Sequence, residues 1–213
     1  MLVRDWMTTG VATVTTESSI SDAAALMREK RVKHLPVLKA GKLAGILSDR
    51  DIKQYLPSKG TSLDIYELNY LLAQTKVGDI MKSPVFTVAP ETPVEEAAMA
   101  MHDRSIGCAP VVEGDRLVGI ISDRDIFKVL VEITGVRSGG HRLAVNLEDR
   151  PGSIKDLADI VRAHGFRLLS ILSSSEKSAP GQRYVVIRTR GNGDFEALKK
   201  DLESQRISVV HLC

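Results

Sequence analysis

The sequence predicts an α+β fold in which two copies of one unit precede a smaller unit of different topology. Shifting the chain by 74 residues aligns residues 3–52 with 77–126 without a gap, and 20 of the 50 aligned pairs are identical. Residues 141–213 do not continue this repeat but alternate strand and helix patterns. A fixed internal period indicates structural units that bury their apolar faces against each other. We therefore expect the two copies to pair about a pseudo-twofold axis.

Each copy predicts the same elements in the same order. In the first copy, apolar runs at Val11–Val14, Leu35–Leu38 and Leu43–Leu47 predict strands. A helix is predicted over Ser21–Lys30, and a second helix begins near Asp49. The second copy predicts strands over 85–88, 109–112 and 117–121 and a helix over 95–104. A unit of this size is marginally stable alone, so the two sheets should pack face to face.

The repeat also divides the chain into five segments. The predicted boundaries are residues 1–60 for the first copy, 61–76 for a connecting arm, 77–135 for the second copy, 136–140 for a flexible linker and 141–213 for the C-terminal unit. Within the arm, Leu68, Leu71 and Leu72 have helical spacing and predict a helix.

The C-terminal unit predicts the order strand–helix–strand–strand–helix–strand. The strands are expected over 143–147, 166–173, 183–189 and 207–212, one helix begins at Ile154 and ends at His164-Gly165, and the other spans 194–204. This order is the ferredoxin-like split, which serves several unrelated functions. An RNA-recognition sheet needs aromatic residues on its central strands, but residues 183–190 contain only Tyr184. The unit also lacks a Cys-x-x-Cys metal loop.

Composition limits the class of protein further. The net charge is +2, with 16 basic and 18 acidic residues up to residue 135 and 13 basic and 9 acidic residues after it. Neither part is basic enough to indicate nucleic-acid binding. No run approaches the roughly 20 apolar residues of a membrane span, and no signal peptide is visible. Two cysteines cannot build a disulfide framework or a zinc site by themselves, so we expect a cytoplasmic protein without a metal or a membrane partner.

Both copies carry the same segment, Ser-Asp-Arg-Asp, between a strand and a helix. One interpretation is a capping box, in which Ser48 caps the helix and Asp51 returns the hydrogen bond. The other is a ligand site, in which Ser48 donates to a phosphate, Asp51 accepts from two ribose hydroxyls and Arg50 adds charge. Asp49 would oppose an anion, so we expect it to point away from the site.

The complete motif is Gly, two apolar residues, Ser, two further residues and Asp, and it occurs at Gly45–Asp51 and Gly119–Asp125. Together with the repeat, it makes residues 1–135 resemble a tandem pair of cystathionine-β-synthase (CBS) domains, a Bateman module. The resemblance implies that an adenosine compound such as AMP, ADP, ATP or S-adenosylmethionine binds between the copies as a regulatory ligand. It also implies that the Asp holds the ribose and that the Ser lies near the phosphate.

The resemblance implies two nucleotide sites, one assigned to each copy. The first is expected to use Thr9, Gly10, Val11, Lys33, His34, Leu35, Pro36, Ser48, Arg50 and Asp51. The second is expected to use Ser83, Pro84, Val85, Gly107, Cys108, Pro110, Ser122, Arg124 and Asp125. Lys33 and a protonated His34 predict that the first site prefers an anionic, phosphorylated ligand. The simpler interpretations are a half-buried, hydrogen-bonded histidine and, for Cys108, a small buried residue.

The C-terminal unit resembles an ACT domain, whose first strand ends in Asp-x-Pro-Gly before the helix. This chain has that motif at Asp149–Gly152. The resemblance implies pairing between subunits and an amino-acid site at their interface, formed by Asp149, Gly152, Ser153 and Ile154. Backbone N–H groups at the start of the helix suit a carboxylate. A dimerisation domain without a ligand remains the alternative.

The order of the units resembles the acetoin-utilisation accessory protein B family along the whole chain, including the segments Lys33–Pro36 and Ser48–Asp51. The resemblance implies a homodimeric, non-enzymatic regulator of an unknown target protein, without a catalytic cofactor. No catalytic residue is expected, since local spacing suggests no nucleophile and base constellation. Two alternatives stay open. One is a dimerising adaptor without a ligand, and the other is a nucleic-acid-associated regulator with Arg183, Arg188 and Arg190 on a basic strand.

Overall fold

The computed structural model describes residues 1–55 and 65–212. The predicted boundary between residues 60 and 61 and the last residue, Cys213, lie outside them. The chain divides into two units, one of residues 1–126 and one that begins at Phe127. Among the helices of the described ranges, none is long and apolar enough to cross a membrane.

In the first unit, the elements of both copies occur in the predicted order. The first copy contains β1 (Val14–Thr15), α2 (Ile20–Lys30), β2 (His34–Lys39), β3 (Lys42–Ser48) and α3 (Asp49–Tyr55). The second contains α6 (Val94–Asp103), β4 (Cys108–Glu113), β5 (Arg116–Ser122) and the start of α7 (Asp123–Ile133), whose residues from Phe127 onward belong to the second unit. Short helices precede the copies, α1 (Val3–Trp6) and α5 (Val77–Ile80), and α4 (Ile65–Gln74) lies between them in the chain.

Local sequence explains where α2 begins and ends. Ser19 is its N-cap, since the Ser19 hydroxyl oxygen accepts from the Asp22 N–H at 3.0 Å. The Ser19 hydroxyl donates in turn to the Asp22 carboxylate at 2.8 Å. The helix stops at Arg31, whose φ of +53° is left-handed and cannot continue a right-handed helix. Ser19 and Asp22 therefore form a side-chain pair of the kind predicted for Ser48 and Asp51.

The two sheets are smaller than the sequence predicts. In the first copy β1 runs parallel to β2, and β2 is antiparallel to β3. In the second copy β4 and β5 form an antiparallel pair. The strand predicted over 85–88 is wrong in extent, because only an isolated parallel bridge joins Val88 to Val111. Pro84 and Pro90 lie on either side of that bridge in the chain, and proline has no N–H to donate to a sheet.

The short helix before each copy packs on the opposite copy. Val3 in α1 is fully buried in the core of the second copy, and its N–H donates to the Thr92 carbonyl at 2.9 Å. Val77 in α5 is fully buried in the core of the first copy, and its N–H donates to the Ser18 carbonyl at 2.8 Å. Each core is therefore completed by a segment that the repeat assigns to the other copy.

The segments after these helices are exchanged in the same way. Lys82 exchanges two backbone hydrogen bonds with Ile46 in β3, at 2.9 and 3.0 Å. Thr8 exchanges two with Ile120 in β5, at 2.9 and 3.0 Å. Lys82 and Thr8 are equivalent in the repeat, and so are Ile46 and Ile120. The two contacts are therefore the same contact made in opposite directions between the copies. The two copies are thus related by a pseudo-twofold axis, with both crossing segments close to it.

The helix predicted in the connecting arm is confirmed as α4. Leu72 is partly buried against the core of the first copy. Just beyond α4, the Thr75 carbonyl accepts the N–H of Ile20, the first residue of α2, at 3.0 Å. The described part of the arm is therefore attached to the first copy.

The second unit contains one four-stranded antiparallel sheet and two helices after the end of α7. Its elements are β6 (His141–Glu148), α8 (Ser153–Ala163), β7 (Arg167–Ser174), β8 (Gln182–Arg190), α9 (Phe195–Ser204) and β9 (Ser208–Leu212). The strand order is β7-β8-β6-β9, so the first and third strands are central. Leu143, Val145 and Ile187 on the central strands pack with Leu157 of α8 and Leu198 of α9. This arrangement has the element order that the sequence predicts.

The predicted flexible linker at 136–140 is a bonded turn. Residues Val136–Ser138 form one turn of 3₁₀-helix. The Arg188 guanidinium donates to the Gly139 carbonyl at 3.4 Å, and the Arg190 guanidinium donates to the Ser138 carbonyl. The preceding residues are attached too, since the Ser170 hydroxyl donates to the Thr134 carbonyl at 2.9 Å. These contacts explain why the second unit begins before the predicted linker.

Candidate functional site

A cleft of about 590 Å³ lies between the two copies of the repeat, and we call it the inter-copy cleft. From the first copy it is lined by Lys33, His34, Ile46, Ser48, Asp49, Arg50, Asp51 and Lys53. From the second it is lined by Lys82, Pro84, Val85, Phe86, Ser105, Ile106, Gly107, Cys108 and Asp123. Its volume falls in the range of small-molecule sites.

The inter-copy cleft combines residues that the sequence assigned to two separate sites. It contains Lys33, His34, Ser48, Arg50 and Asp51 from the first predicted site and Pro84, Val85, Gly107 and Cys108 from the second. Its walls do not include Thr9, Gly10, Val11, Ser83, Ser122, Arg124 and Asp125. The grouping by copy does not hold, because the segment that begins at Lys82 crosses to β3 of the first copy.

Asp51 is a buried carboxylate at the wall of the cleft. Its Oδ2 accepts from the Ser48 N–H at 2.9 Å and from the Ser48 hydroxyl at 2.5 Å. The Ser48 hydroxyl oxygen accepts from the Asp51 N–H at 3.2 Å, so the predicted capping box is present. The other oxygen, Oδ1, lies 3.0 Å from the Lys82 ammonium nitrogen.

Asp51 is held in its ionised form by these contacts. Burial alone would raise the pKa of Asp51. The hydrogen bonds from Ser48 and the neighbouring Lys82 ammonium outweigh burial and lower the pKa below its ordinary value. A negative charge is therefore fixed at the wall of the cleft at neutral pH.

The second copy repeats the serine–aspartate pair, but the residue that crosses from the opposite copy differs. The Ser122 N–H and hydroxyl donate to Asp125 Oδ2 at 3.0 and 2.7 Å, and Asp125 is buried. The position equivalent to Lys82 is Thr8. Sequence reasoning missed Lys82, although the mismatch with Thr8 in the repeat alignment was a visible signal.

His34 is half-buried where the two copies meet. A Cβ added to Gly107 would lie 3.5 Å from His34 Cε1, so the ring packs closely against the second copy. Burial lowers the pKa of His34, although the nearby Asp49 and Asp123 carboxylates oppose this effect. The lowered pKa decreases the protonated fraction of His34 and so weighs against the predicted contribution of a protonated His34.

Asp49 does not point away from the cleft as predicted. It lies in the wall, and its carboxylate accepts from the Lys53 ammonium at 3.0 Å. That hydrogen bond lowers the pKa of Asp49. The ion pair with Lys53 offsets part of the negative charge that Asp49 brings to the wall. Across the part of the chain that the structure describes, no group of three or more His, Cys, Asp or Glu side chains could hold a metal ion.

Phe86 provides an aromatic ring in the wall that the sequence analysis did not select. The Arg104 guanidinium carbon lies 4.4 Å from the centre of this ring, within cation–π range. The equivalent residue in the first copy is Ala12, so the ring occurs once in the repeat. Phe86 therefore adds to the differences between the two sides of the pseudo-twofold axis.

Three predicted contact residues are buried in strands instead. Leu35 in β2 has no exposed surface and packs in the core of the first copy. Pro36 in β2 and Pro110 in β4 are buried as well. These three side chains pack within β2 and β4, and contact between these positions and a ligand stays a prediction.

Cys108 is a buried free thiol beside the cleft. Burial, followed by the nearby Asp123 carboxylate, raises the pKa of Cys108 to about 12. Since the thiolate is the reactive form, we expect Cys108 in a Cys213→Ser variant to react with iodoacetamide at pH 8 at least a hundredfold more slowly than free cysteine. Mass spectrometry of the alkylated peptide measures the rate. Alkylation at the rate of a free thiol would contradict the burial of Cys108.

The predicted amino-acid site of the second unit is engaged in internal contacts. The Asp149 carboxylate lies 2.9 Å from Arg183 Nε, and the Asp149 N–H donates to the Gly181 carbonyl at 2.8 Å. Gly152 has a φ of +88° and is the N-cap of α8, Ser153 is buried and Ile154 is half-buried. The four residues lie together at the end of β6 and the start of α8.

The three arginines proposed for a basic strand also make internal contacts. Arg183 pairs with Asp149, while Arg188 and Arg190 donate to carbonyls of the bonded turn at 136–140. A row of guanidinium groups available to phosphates is the feature that a nucleic-acid interface needs. In β8, these groups already have partners within the second unit.

Comparison with known proteins identifies the repeat. The family model of the CBS domain matches residues 3–58 and 77–132. The CBS domain-containing protein YhcV of Bacillus subtilis is 34% identical over 124 residues, which are 58% of this chain and 81% of that protein. The homoserine O-acetyltransferase of Methanohalobium evestigatum is 31% identical over 61% of this chain, but the match covers only 24% of that enzyme.

Solved structures resemble somewhat more than three fifths of the chain. A Vibrio cholerae protein described as the acetoin utilization protein AcuB shares 32% identity over 65% of this chain and 96% of its own, with a TM-score of 0.53. CBSX2 in complex with AMP shares 30% identity over 62% and 97%, with a TM-score of 0.51. The CBS domain pair of protein MJ0100, with 5′-methylthioadenosine and S-adenosyl-L-methionine, shares 28% over 61% and 95%, with a TM-score of 0.52.

Proposed function

Because this chain belongs to the CBS domain family, we propose that it is a non-enzymatic regulatory protein that binds an adenosine nucleotide in the inter-copy cleft. The observation that carries the proposal is the buried, ionised Asp51 at the cleft wall, fixed by Ser48 and facing Lys82. An ionised carboxylate accepts several hydrogen bonds and can receive both hydroxyls of a ribose. The AMP bound to CBSX2 and the two adenosyl compounds bound to MJ0100 support this class of ligand.

The other walls of the cleft suit the base and the phosphate. Val85, Ile106 and the flat ring of Pro84 provide apolar surface for a purine. Lys33 and Arg50 provide positive charge, and the guanidinium of Arg50 can bind a phosphate through two hydrogen bonds. The cleft lining contains four basic residues, counting lysine and arginine, and three aspartates, so its formal charge is positive by one.

Regulation requires that the ligand favour one arrangement of the protein over another. The cleft lies between two copies that meet along crossing segments, so a ligand that contacts both can bias their relative position. We propose that such a bias is transmitted to an unknown target protein. The resemblance to AcuB of Vibrio cholerae supports a link to acetoin utilisation.

For the second unit, we infer an ACT domain that pairs in a homodimer. The strand order β7-β8-β6-β9, with two helices, is the ferredoxin-like topology. The Asp-Arg-Pro-Gly motif stands between β6 and α8, as in ACT domains. An amino acid bound there would have to compete with Arg183 for the Asp149 carboxylate. A domain that only dimerises is the simpler form of this proposal.

Isothermal titration calorimetry of the full chain tests the nucleotide site. We expect saturable binding of at least one of AMP, ADP, ATP and S-adenosylmethionine, and no saturable binding of CMP, whose base is smaller and presents different polar groups. A nucleotide retained through purification would be identified by mass spectrometry. Flat titrations with all four adenosine compounds would favour the alternative of a ligand-free dimerising adaptor.

A further inference from the structure

Lys82 is placed where it competes for the proposed ribose-binding carboxylate. Its ammonium nitrogen lies 3.0 Å from Asp51 Oδ1, and 67% of the Lys82 side chain is exposed. The Asp51 side chain is only 6% exposed, so the ion pair joins an exposed cation to a buried anion. The backbone of Lys82 is anchored by its two hydrogen bonds with Ile46. The side chain can therefore swing while its origin stays at the edge of the cleft.

The repeat provides an internal comparison for this position. Ser48, Arg50 and Asp51 have identical counterparts in Ser122, Arg124 and Asp125. The residue that crosses from the opposite copy differs, since Lys82 on one side corresponds to Thr8 on the other. Both residues make the same backbone bridge, Lys82 to Ile46 and Thr8 to Ile120. Lys82 and Thr8 therefore have equivalent backbone positions, but the lysine side chain is positively charged and the threonine side chain is neutral.

We propose that Lys82 makes the Asp51 side of the cleft selective for phosphorylated nucleosides. Without a ligand, Lys82 occupies Asp51. When ribose hydroxyls take over that carboxylate, the displaced ammonium binds the phosphate of the same ligand. This proposal rests on the nucleotide site proposed above and adds Lys82 to Lys33 and Arg50 as a residue that recognises the phosphate.

The physical basis is that only a phosphorylated ligand gives the Lys82 ammonium a new anionic partner after the Lys82–Asp51 ion pair is broken. A nucleoside without phosphate breaks the Lys82–Asp51 pair and leaves the ammonium with water alone. A nucleotide breaks the same pair but replaces it with a charge-assisted hydrogen bond, which is stronger than a neutral one. Hydrogen bonds to charged groups correspond to about ten- to a hundredfold in affinity. Thr8, at the equivalent position of the repeat, has no ammonium to offer to a phosphate.

The test compares AMP with adenosine in the full-length wild type and in Lys82→Thr, which installs the residue found at position 8. We expect the ratio of AMP affinity to adenosine affinity at one site to fall about tenfold or more. Lys82→Arg should keep most of the ratio because it keeps the cation. Calorimetry at fixed ionic strength gives the affinities, and thermal unfolding verifies that each variant is folded.

The outcomes separate this inference from the proposed site. If the wild type binds both ligands and Lys82→Thr is folded with an unchanged ratio, Lys82 is not the selectivity residue and the site itself stands. An equal loss of AMP and adenosine affinity would also overturn the inference, since it would show a general rather than a phosphate-specific role. If the wild type binds neither ligand nor any other adenosine compound, the proposed site and the inference fail together.

Discussion

Asp51→Asn is expected to weaken adenosine binding to one site by about ten- to a hundredfold, equivalent to about 1.5–3 kcal/mol. The amide has about the size of the carboxylate but lacks its charge and has only one accepting oxygen, so it cannot bind two ribose hydroxyls equally well. Adenosine is a better probe than AMP here, because the substitution also releases Lys82, which can then attract a phosphate. Calorimetric titration of the full chain measures the change.

Asp22→Asn is the matched control for this substitution. Asp22 forms the same kind of serine–aspartate pair with Ser19 at the start of α2, but it does not line the inter-copy cleft. Asp22→Asn should therefore have a comparable effect on helix capping and leave adenosine affinity unchanged. Asp125→Asn should leave the adenosine site at Asp51 unaffected and weaken binding at the second predicted nucleotide site, where that site is occupied. Equal adenosine affinity in folded Asp51→Asn and wild type would exclude Asp51 as the ribose-binding residue.

Local patterns were sufficient to predict most of the elements. The repeat defined the order of strands and helices in the first unit, and the spacing of apolar residues defined the order β-α-β-β-α-β in the second. The capping box at Ser48 was predicted because a serine and an aspartate three residues apart have a specific local geometry. Such contacts depend on nearby residues in the chain, which is why sequence alone reveals them.

The grouping of the site residues depended on contacts that no local pattern contains. Residues 3–6 and 77–80 pack on the opposite copies, so the cleft mixes residues from both halves of the repeat. A nearly symmetric repeat is equally compatible with segments that pack on their own copy. The lowered pKa of His34 could not be predicted for a similar reason, since its largest cause is burial between the copies. Residues 34 and 107 are distant in the chain, and only the paired fold brings them together.

The second large effect is expected on the stability of the protein when a core side chain is shortened. Leu35→Ala should lower the free energy of unfolding by about 2–5 kcal/mol, because Leu35 is fully buried and the smaller side chain leaves a cavity. Leu35 packs with Ile20, Val37 and Leu47 in the core of the first copy. Urea unfolding followed by far-ultraviolet circular dichroism measures the loss. In hydrogen-exchange experiments, backbone amides of α2 and β3 should exchange faster in Leu35→Ala than in the wild type, whereas amides of the second unit should be affected less.

Lys33→Ala is the control that separates the core from the cleft. Lys33 is exposed and lines the cleft two residues before Leu35. Its replacement should change the free energy of unfolding by less than about 0.5 kcal/mol but weaken AMP binding more than adenosine binding. Leu35→Ala, studied under conditions where it is folded, should keep the wild-type ratio of AMP to adenosine affinity. If Leu35→Ala instead changed the ratio of AMP to adenosine affinity and left the free energy of unfolding unchanged, Leu35 would be a ligand contact, as the family resemblance implied. Leu35 would then not be buried in β2 in the functional protein.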